Sequence, residues 1–104
     1  MQLNWRPMAM DDLDSVVDYI AQDNPRAAIE VGDAIVHQVG QLATHPNLGR
    51  LGRIEGTREL VISRLPYVVP YRVADTEVEI LRVYHTAQRW PSRLDEFLQG
   101  SDAS

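Results

Sequence analysis

Residues 57–85 read TRELVISRLPYVVPYRVADTEVEILRVYH, and they carry the clearest strand signals of the chain. β-Branched and aromatic residues dominate three runs, 57–63, 67–73 and 77–85, which the short segments RLP and ADT separate. Such runs are typical of strands, and connections this short join antiparallel neighbours. The stretch therefore predicts a three-stranded antiparallel meander.

Alternation within these runs predicts which side chains face the core, because residues two apart along a strand point to the same side. One face carries Tyr67, Val69, Tyr71 and Val73 in the middle run, with Leu81 and Val83 in the last run. We expect these side chains to meet the helices. Pro70 lies inside the middle run and has no N–H to donate, so we expect a bulge or unpaired backbone there.

An antiparallel pair of helices is predicted ahead of the meander. Apolar residues at i, i+3, i+4 and i+7 spacing predict an amphipathic helix over 9–21; they are Leu13, Val16, Val17 and Ile20. Asn24 fits an N-cap and Pro25 a first helical residue, so a second helix runs from 25 to about 44. The short link between the helices makes them a hairpin.

The remaining segments complete an α+β domain. MQLNW at the N-terminus alternates as a short strand would, and SRLDEFLQG could form a short closing helix capped by Ser92. Gly32 and Gly40 each weaken the second helix by up to about 1 kcal/mol, so their expected use is close approach of another backbone. Residues 1–104 are read as one domain with a flexible tail at 100–104.

Composition excludes several classes of protein. The 104 residues contain no cysteine, which removes a disulfide framework, thiolate metal ligands and thiol chemistry, and fits the cytoplasm. No apolar run approaches the roughly 20 residues of a membrane-spanning helix, and the N-terminus has no secretory signal pattern. His37 and His45 have no carboxylate at metal-site spacing, so we expect no metal and no cofactor.

Charge is distributed unevenly along the chain. Residues 1–49 carry two arginines against seven acids, whereas residues 50–93 carry eight arginines against five acids, and no residue is lysine. A pI near 5.0 argues against a general nucleic-acid binder, but arginine suits bidentate contact with phosphate or carboxylate. We expect one open, concave face of the sheet to bind a partner or nucleic acid through arginines. They are Arg58, Arg64, Arg72, Arg82 and Arg89.

Several segments in the same order resemble the RelE/ParE superfamily of toxins from type II toxin–antitoxin modules. They are DDLDSVVDYIAQDNPRAA, GTRELVI, PYVVPYRV and ILRVYHTAQRWP, and the RelE/StbE or plasmid stabilisation branch is most similar. The resemblance covers roughly residues 3–91. It implies a growth-inhibiting toxin that is neutralised by a cognate antitoxin, whose C-terminal segment wraps the toxin and is often acidic.

The superfamily contains two kinds of toxin, and the resemblance leaves both open. Members like RelE and YoeB cleave mRNA on the ribosome; members like ParE inhibit DNA gyrase. For the nuclease, the resemblance implies a histidine at the end of the last strand, which RVYH supplies as His85, with Arg72, Arg82 and Tyr84 around the phosphate or base. The glutamate that serves as general base in that branch aligns near Leu48, and the nearest acid in this chain is Glu55. The lysines of those nucleases have no counterpart here, because this chain contains no lysine.

These departures favour the gyrase inhibitor over the ribosome-dependent mRNA interferase. An inactive toxin that acts only with its antitoxin as a co-repressor is a third hypothesis. The acids of the first helix are interpreted as a solvated face, and their functional interpretation is contact with a basic partner surface. They are Asp11, Asp12, Asp14 and Asp18.

Overall fold

The computed structural model describes residues 1–87 of the 104. In chain order the elements are β1 (Gln2–Trp5), α1 (Pro7–Ala21), α2 (Pro25–Gly40), a 3₁₀ turn (Gln41–Ala43), β2 (Arg50–Leu51), β3 (Arg58–Val61), β4 (Tyr67–Val73), β5 (Glu77–Ile80) and β6 (Tyr84–His85). The predicted α+β order is confirmed. The closing helix, the tail at 100–104 and Arg89 lie outside the described residues.

The strands form one mixed sheet in the order β1-β5-β4-β3-β2, with β6 also paired to β4. β3, β4 and β5 form the predicted antiparallel meander, and β1 lies parallel to β5 at its edge. The sequence reasoning missed β2, because two residues are too few to show an alternation. β2 pairs Arg50 with Glu59 and Leu51 with Arg58.

The helical hairpin begins and ends close to its predicted limits. α1 starts at Pro7, two residues earlier than expected, since proline suits a first helical position. Asn24 caps α2 as predicted, because its side-chain oxygen accepts a hydrogen bond from Ala27 N at 3.0 Å. α2 ends at Gly40 rather than at the expected Thr44, because the chain continues from Gly40 into the 3₁₀ turn.

The two glycines of α2 differ in their surroundings. A Cβ on Gly32 would lie 3.0 Å from Val17 Cγ2, so this glycine lets α2 pack closely against a side chain of α1 rather than against the backbone that was expected. At Gly40 a Cβ would meet nothing within 4 Å, and the same prediction is wrong there.

The last predicted strand is interrupted opposite Pro70. Tyr71 pairs with Ile80 and Val68 pairs with Tyr84, so two residues of β4 face three residues between β5 and β6. Pro70 cannot donate a hydrogen bond, but its carbonyl accepts one from Leu81 N at 3.0 Å. The expected bulge is confirmed, and the extra residue lies on the partner strand.

The bulge changes which side chains reach the core. Val83 packs with the helices as predicted, but Leu81 packs with Val68 and Tyr84 on the opposite face, where Ile54 covers them. The prediction that Leu81 faces the helices is therefore wrong, because the alternation along the strand shifts at the bulge.

The main core lies between the hairpin and the sheet. Tyr67, Val69 and Tyr71 are buried in it with Ile35 and Val39, which confirms their predicted side. The fourth residue of that face, Val73, is 38% exposed at the end of β4, and its predicted burial is wrong.

Candidate functional site

The predicted site arginines are spread over the molecule, and each described one has its own local environment. Arg72 lies on the sheet face away from the helices, where its Nε donates to Glu79 Oε1 at 2.7 Å and its Nη2 lies 2.6 Å from the same oxygen. Arg6 also approaches Glu79, at 3.8 Å. The charge of Arg72 is thus compensated within the sheet.

Arg82 turns toward helix α1 at the bulge. Its Nε and Nη2 donate to the two carboxylate oxygens of Asp12 at 2.7 and 3.2 Å, and Val83 N donates to Asp12 Oδ2 at 2.9 Å. The guanidinium carbon lies 4.9 Å from the centroid of the Tyr84 ring. This arrangement ties the bulge to α1, so the interpretation of Asp12 as part of a solvated face is wrong.

Arg58 and Arg64 occupy two further places. Arg58 Nη1 donates to Gly49 O at 2.8 Å and to Asn47 O at 3.4 Å, and so holds the segment before β2. Arg64 lies in the β3–β4 turn with a φ of 68°, and its exposed side chain lines a cavity beside α2. Two of these arginines bind carboxylates of the chain and one binds carbonyls, and their use in binding a partner or nucleic acid stays a prediction.

A buried glutamate organises the loop before β3, and the sequence reasoning did not find it. Glu59 is 3% exposed; it accepts from Arg50 Nε and Nη2 at 3.2 and 3.0 Å, and from the backbone N–H of Arg53 at 3.1 Å. An acid inside an otherwise apolar strand, next to an arginine-rich loop, was the available signal.

His85 ends β6 on the side of the helices. Its Nδ1 accepts a hydrogen bond from Ala87 N at 3.0 Å, and its ring lies edge-on to Tyr67, with centroids 5.3 Å apart. Because an amide N–H donates to Nδ1, the ring carries its proton on Nε2 in this arrangement.

A cleft of about 520 Å³ opens beside His85 and is lined by Asp12, Tyr19 and Tyr67 among others. Burial raises the pKa of Tyr67 above its ordinary value of 10.0, so its phenol stays protonated as a hydrogen-bond donor. Asp12 is held by Arg82, and Glu55 lies exposed in the loop before β3 and does not line the cleft. Tyr84 is buried on the other face, at 5% exposure.

Within residues 1–87 no group of three His, Cys, Asp or Glu side chains could hold a metal ion. No helix in that range is long and apolar enough to cross a membrane.

Comparison with known families decides the kind of protein. The family described as "ParE toxin of type II toxin-antitoxin system, parDE" matches residues 3–90. The chain belongs to this toxin family. The predicted membership of the RelE/ParE superfamily is confirmed, and the protein is a toxin of a type II toxin–antitoxin system.

Individual relatives of the chain are named as toxins. Y4kP of Sinorhizobium fredii is 44% identical over 93 residues, which are 89% of this chain and 96% of that protein. Toxin RelE2 of Caulobacter vibrioides is 39% identical over 87 residues, which are 84% of this chain and 97% of that protein. Sequence relatives therefore leave the molecular target open.

Two solved structures share the fold of this chain. A chain of the chromosomal ParDE system from P. aeruginosa has a TM-score of 0.75 at 33% identity and covers 82% of this chain and 95% of its own. A chain of the RelBE2 toxin–antitoxin complex from Mycobacterium tuberculosis has a TM-score of 0.55 at 29% identity. The match covers 81% of this chain and 95% of that chain.

Proposed function

We propose that this toxin inhibits DNA gyrase in the cytoplasm and is neutralised by a cognate antitoxin. The observation that carries the proposal is the internal pairing of the arginines. Arg72 is held by Glu79 and Arg82 by Asp12, while Arg58 binds backbone carbonyls. A protein inhibitor needs a stable surface for its target, and these contacts stabilise such a surface.

Cleavage of RNA by attack of a 2′-hydroxyl makes a stricter demand. It requires a general base, a general acid and cationic groups around one phosphate. Arg72 and Arg82 are each bound to a separate carboxylate of the chain, and Nδ1 of His85 already accepts a backbone hydrogen bond. The described residues therefore fit a ParE-like mode of action better than a nuclease, which agrees with the higher TM-score to the ParDE chain.

Ribosome-dependent mRNA cleavage is the second candidate, and one observation favours it. His85 stands at the predicted nuclease position and lines a cleft together with Tyr67, a phenol that stays protonated. Under this hypothesis His85 is catalytic, Tyr84 contacts the RNA, and Arg72, Arg82 and Arg89 provide the positive charge. The 39% identity to a toxin named RelE2 supports the same hypothesis.

Support for an antitoxin partner comes from the two structural neighbours, which belong to a ParDE toxin–antitoxin system and to the RelBE2 toxin–antitoxin complex. Within residues 50–87 three arginines keep exposed side chains that could contact an acidic antitoxin segment. Arg50 and Arg53 are 58% and 52% exposed beside the buried Glu59, and Arg64 is exposed in the β3–β4 turn. Substituting these three by glutamine should weaken co-purification with the antitoxin.

The deciding experiment is induction of the toxin alone, with mRNA integrity and chromosomal DNA followed in the same culture. Gyrase-dependent DNA breaks with intact mRNA are expected. Rapid loss of intact mRNA with normal DNA would refute the gyrase proposal and support ribosome-dependent mRNA cleavage. Normal growth with both intact would instead support an inactive toxin that acts as a co-repressor.

A further inference from the structure

The two helices leave a groove of about 470 Å³ on their exposed side. We call it the hairpin groove. Its apolar floor consists of Leu13, Val17, Gly32 and Val36, and its rim consists of the three acids Asp14, Asp18 and Asp33, with His37 beside them. Neither the arginine contacts nor the His85 cleft involves these residues.

The floor is accessible because one position lacks a side chain. Gly32 brings the helices together near Val17, and a Cβ there would lie 3.0 Å from Val17 Cγ2. Val36 is 49% exposed, although its neighbour in sequence, Ile35, is fully buried. An apolar side chain of a partner could therefore pack between the helices.

The rim carries negative charge that no described residue neutralises. Asp14 and Asp18 lie one turn apart on α1, about 6 Å along its axis, and Asp33 faces them from α2. Their carboxylates make no salt bridge or hydrogen bond with any other residue of the described range, and all three side chains are exposed.

Other acids of the same domain behave differently. The structure pairs Asp12 with Arg82 and Glu79 with Arg72. The hairpin groove thus combines an apolar floor with uncompensated carboxylates, which complements a segment that has an apolar anchor between lysine or arginine side chains. Nucleic acid is excluded as its occupant, since phosphates would be repelled.

We propose that the hairpin groove docks a basic, apolar-anchored segment of DNA gyrase; this inference rests on the proposed function. An enzyme that acts on DNA presents arginine and lysine side chains toward phosphates. The same side chains are complementary to the carboxylate rim, and opposite charges of this kind accelerate encounter and fix orientation.

The test compares two variants of the full chain with equal charge changes. In the groove variant Asp14→Asn, Asp18→Asn and Asp33→Asn are combined. In the control, Asp11→Asn, Asp23→Asn and Asp75→Asn change three exposed acids outside the groove. Binding to purified gyrase holoenzyme is measured by biolayer interferometry across a range of salt concentrations, and DNA cleavage by gyrase is measured in parallel.

The groove variant should bind about tenfold or more weakly, with a flatter salt dependence, and the control should bind like the wild type. Equal binding by both variants would overturn the inference and leave gyrase inhibition standing. If the wild type neither binds gyrase nor promotes its cleavage of DNA, the proposed function and this inference both fail. Thermal melting confirms that both variants fold.

A second pair tests the apolar floor without changing charge. Val36→Ser removes the exposed apolar side chain of the floor, whereas Ile29→Ser changes a more exposed position of α2, at 63%, outside the groove. Only Val36→Ser should weaken gyrase binding, by several-fold. Loss of binding in Ile29→Ser alone would contradict the assignment of the groove.

Discussion

The ion pair between Asp12 and Arg82 offers the sharpest test of how the bulge is held. Asp12→Ala removes a carboxylate that accepts from Arg82 Nε at 2.7 Å, from Arg82 Nη2 at 3.2 Å and from Val83 N at 2.9 Å. The side chains of Arg82 and Asp12 are only 12% and 20% exposed. The substitution therefore leaves a largely buried guanidinium without its carboxylate partner.

The expected cost follows from this burial. Removing one partner of a buried ion pair costs about 3–5 kcal/mol, and the residual exposure of this pair lowers that figure to about 2–4 kcal/mol. Asp11→Ala is the matched control, because Asp11 is an exposed neighbour on the same helix with the same gain in helix propensity. Its free energy of unfolding should change by no more than about 0.5 kcal/mol.

Urea unfolding, followed by circular dichroism, measures both variants. Arg82→Met, alone and combined with Asp12→Ala, completes a double-mutant cycle whose coupling energy should be about 1–3 kcal/mol. The reasoning is refuted if Asp12→Ala costs no more than Asp11→Ala, or if the two substitutions of the pair are additive.

Three further predictions follow from the buried polar groups and from His85. Glu59→Gln replaces the carboxylate that Arg50 and Arg53 share, and should cost about 2 kcal/mol in urea unfolding; an unchanged midpoint would contradict its role in holding the loop. Burial raises the pKa of Tyr71 above 10.0. The stabilisation that the buried, neutral phenol of Tyr71 provides is therefore complete below about pH 10 and is lost as the pH rises further. Melting temperatures should fall less steeply above that pH in Tyr71→Phe than in the wild type, and equal slopes would refute this. His85→Ala should leave gyrase-dependent DNA breaks intact on induction; if it abolishes toxicity while the melting temperature is unchanged, the interferase gains support.

Much of the fold could be predicted because it depends on local patterns. The Asn24–Pro25 signal begins α2 where expected, and the apolar runs yield β3, β4 and β5. The bulge opposite Pro70 could also be anticipated, since proline lacks the N–H that a ladder needs. Its consequence for Leu81 could not, because the sequence does not say on which strand the extra residue lies.

The candidate site was less predictable than the fold. Alternation suggested that Arg58, Arg72 and Arg82 would share an open surface. An arginine has a long side chain, however, and it binds the nearest carboxylate or carbonyl that folding brings within reach. Asp12 is 70 residues away from Arg82 in the chain, so no local pattern could reveal their contact.

By itself the sequence determined the order of the elements, the helical hairpin, the meander and membership of the toxin family, because these follow from periodicity, capping and segment order. The positions of the charges relative to one another depend on the folded structure. It paired the acids beside Arg72 and Arg82 and left those of the hairpin groove unpaired. The physical reason is that compensation of a charge depends on distance in space, which the packing of α1 and α2 against the sheet sets.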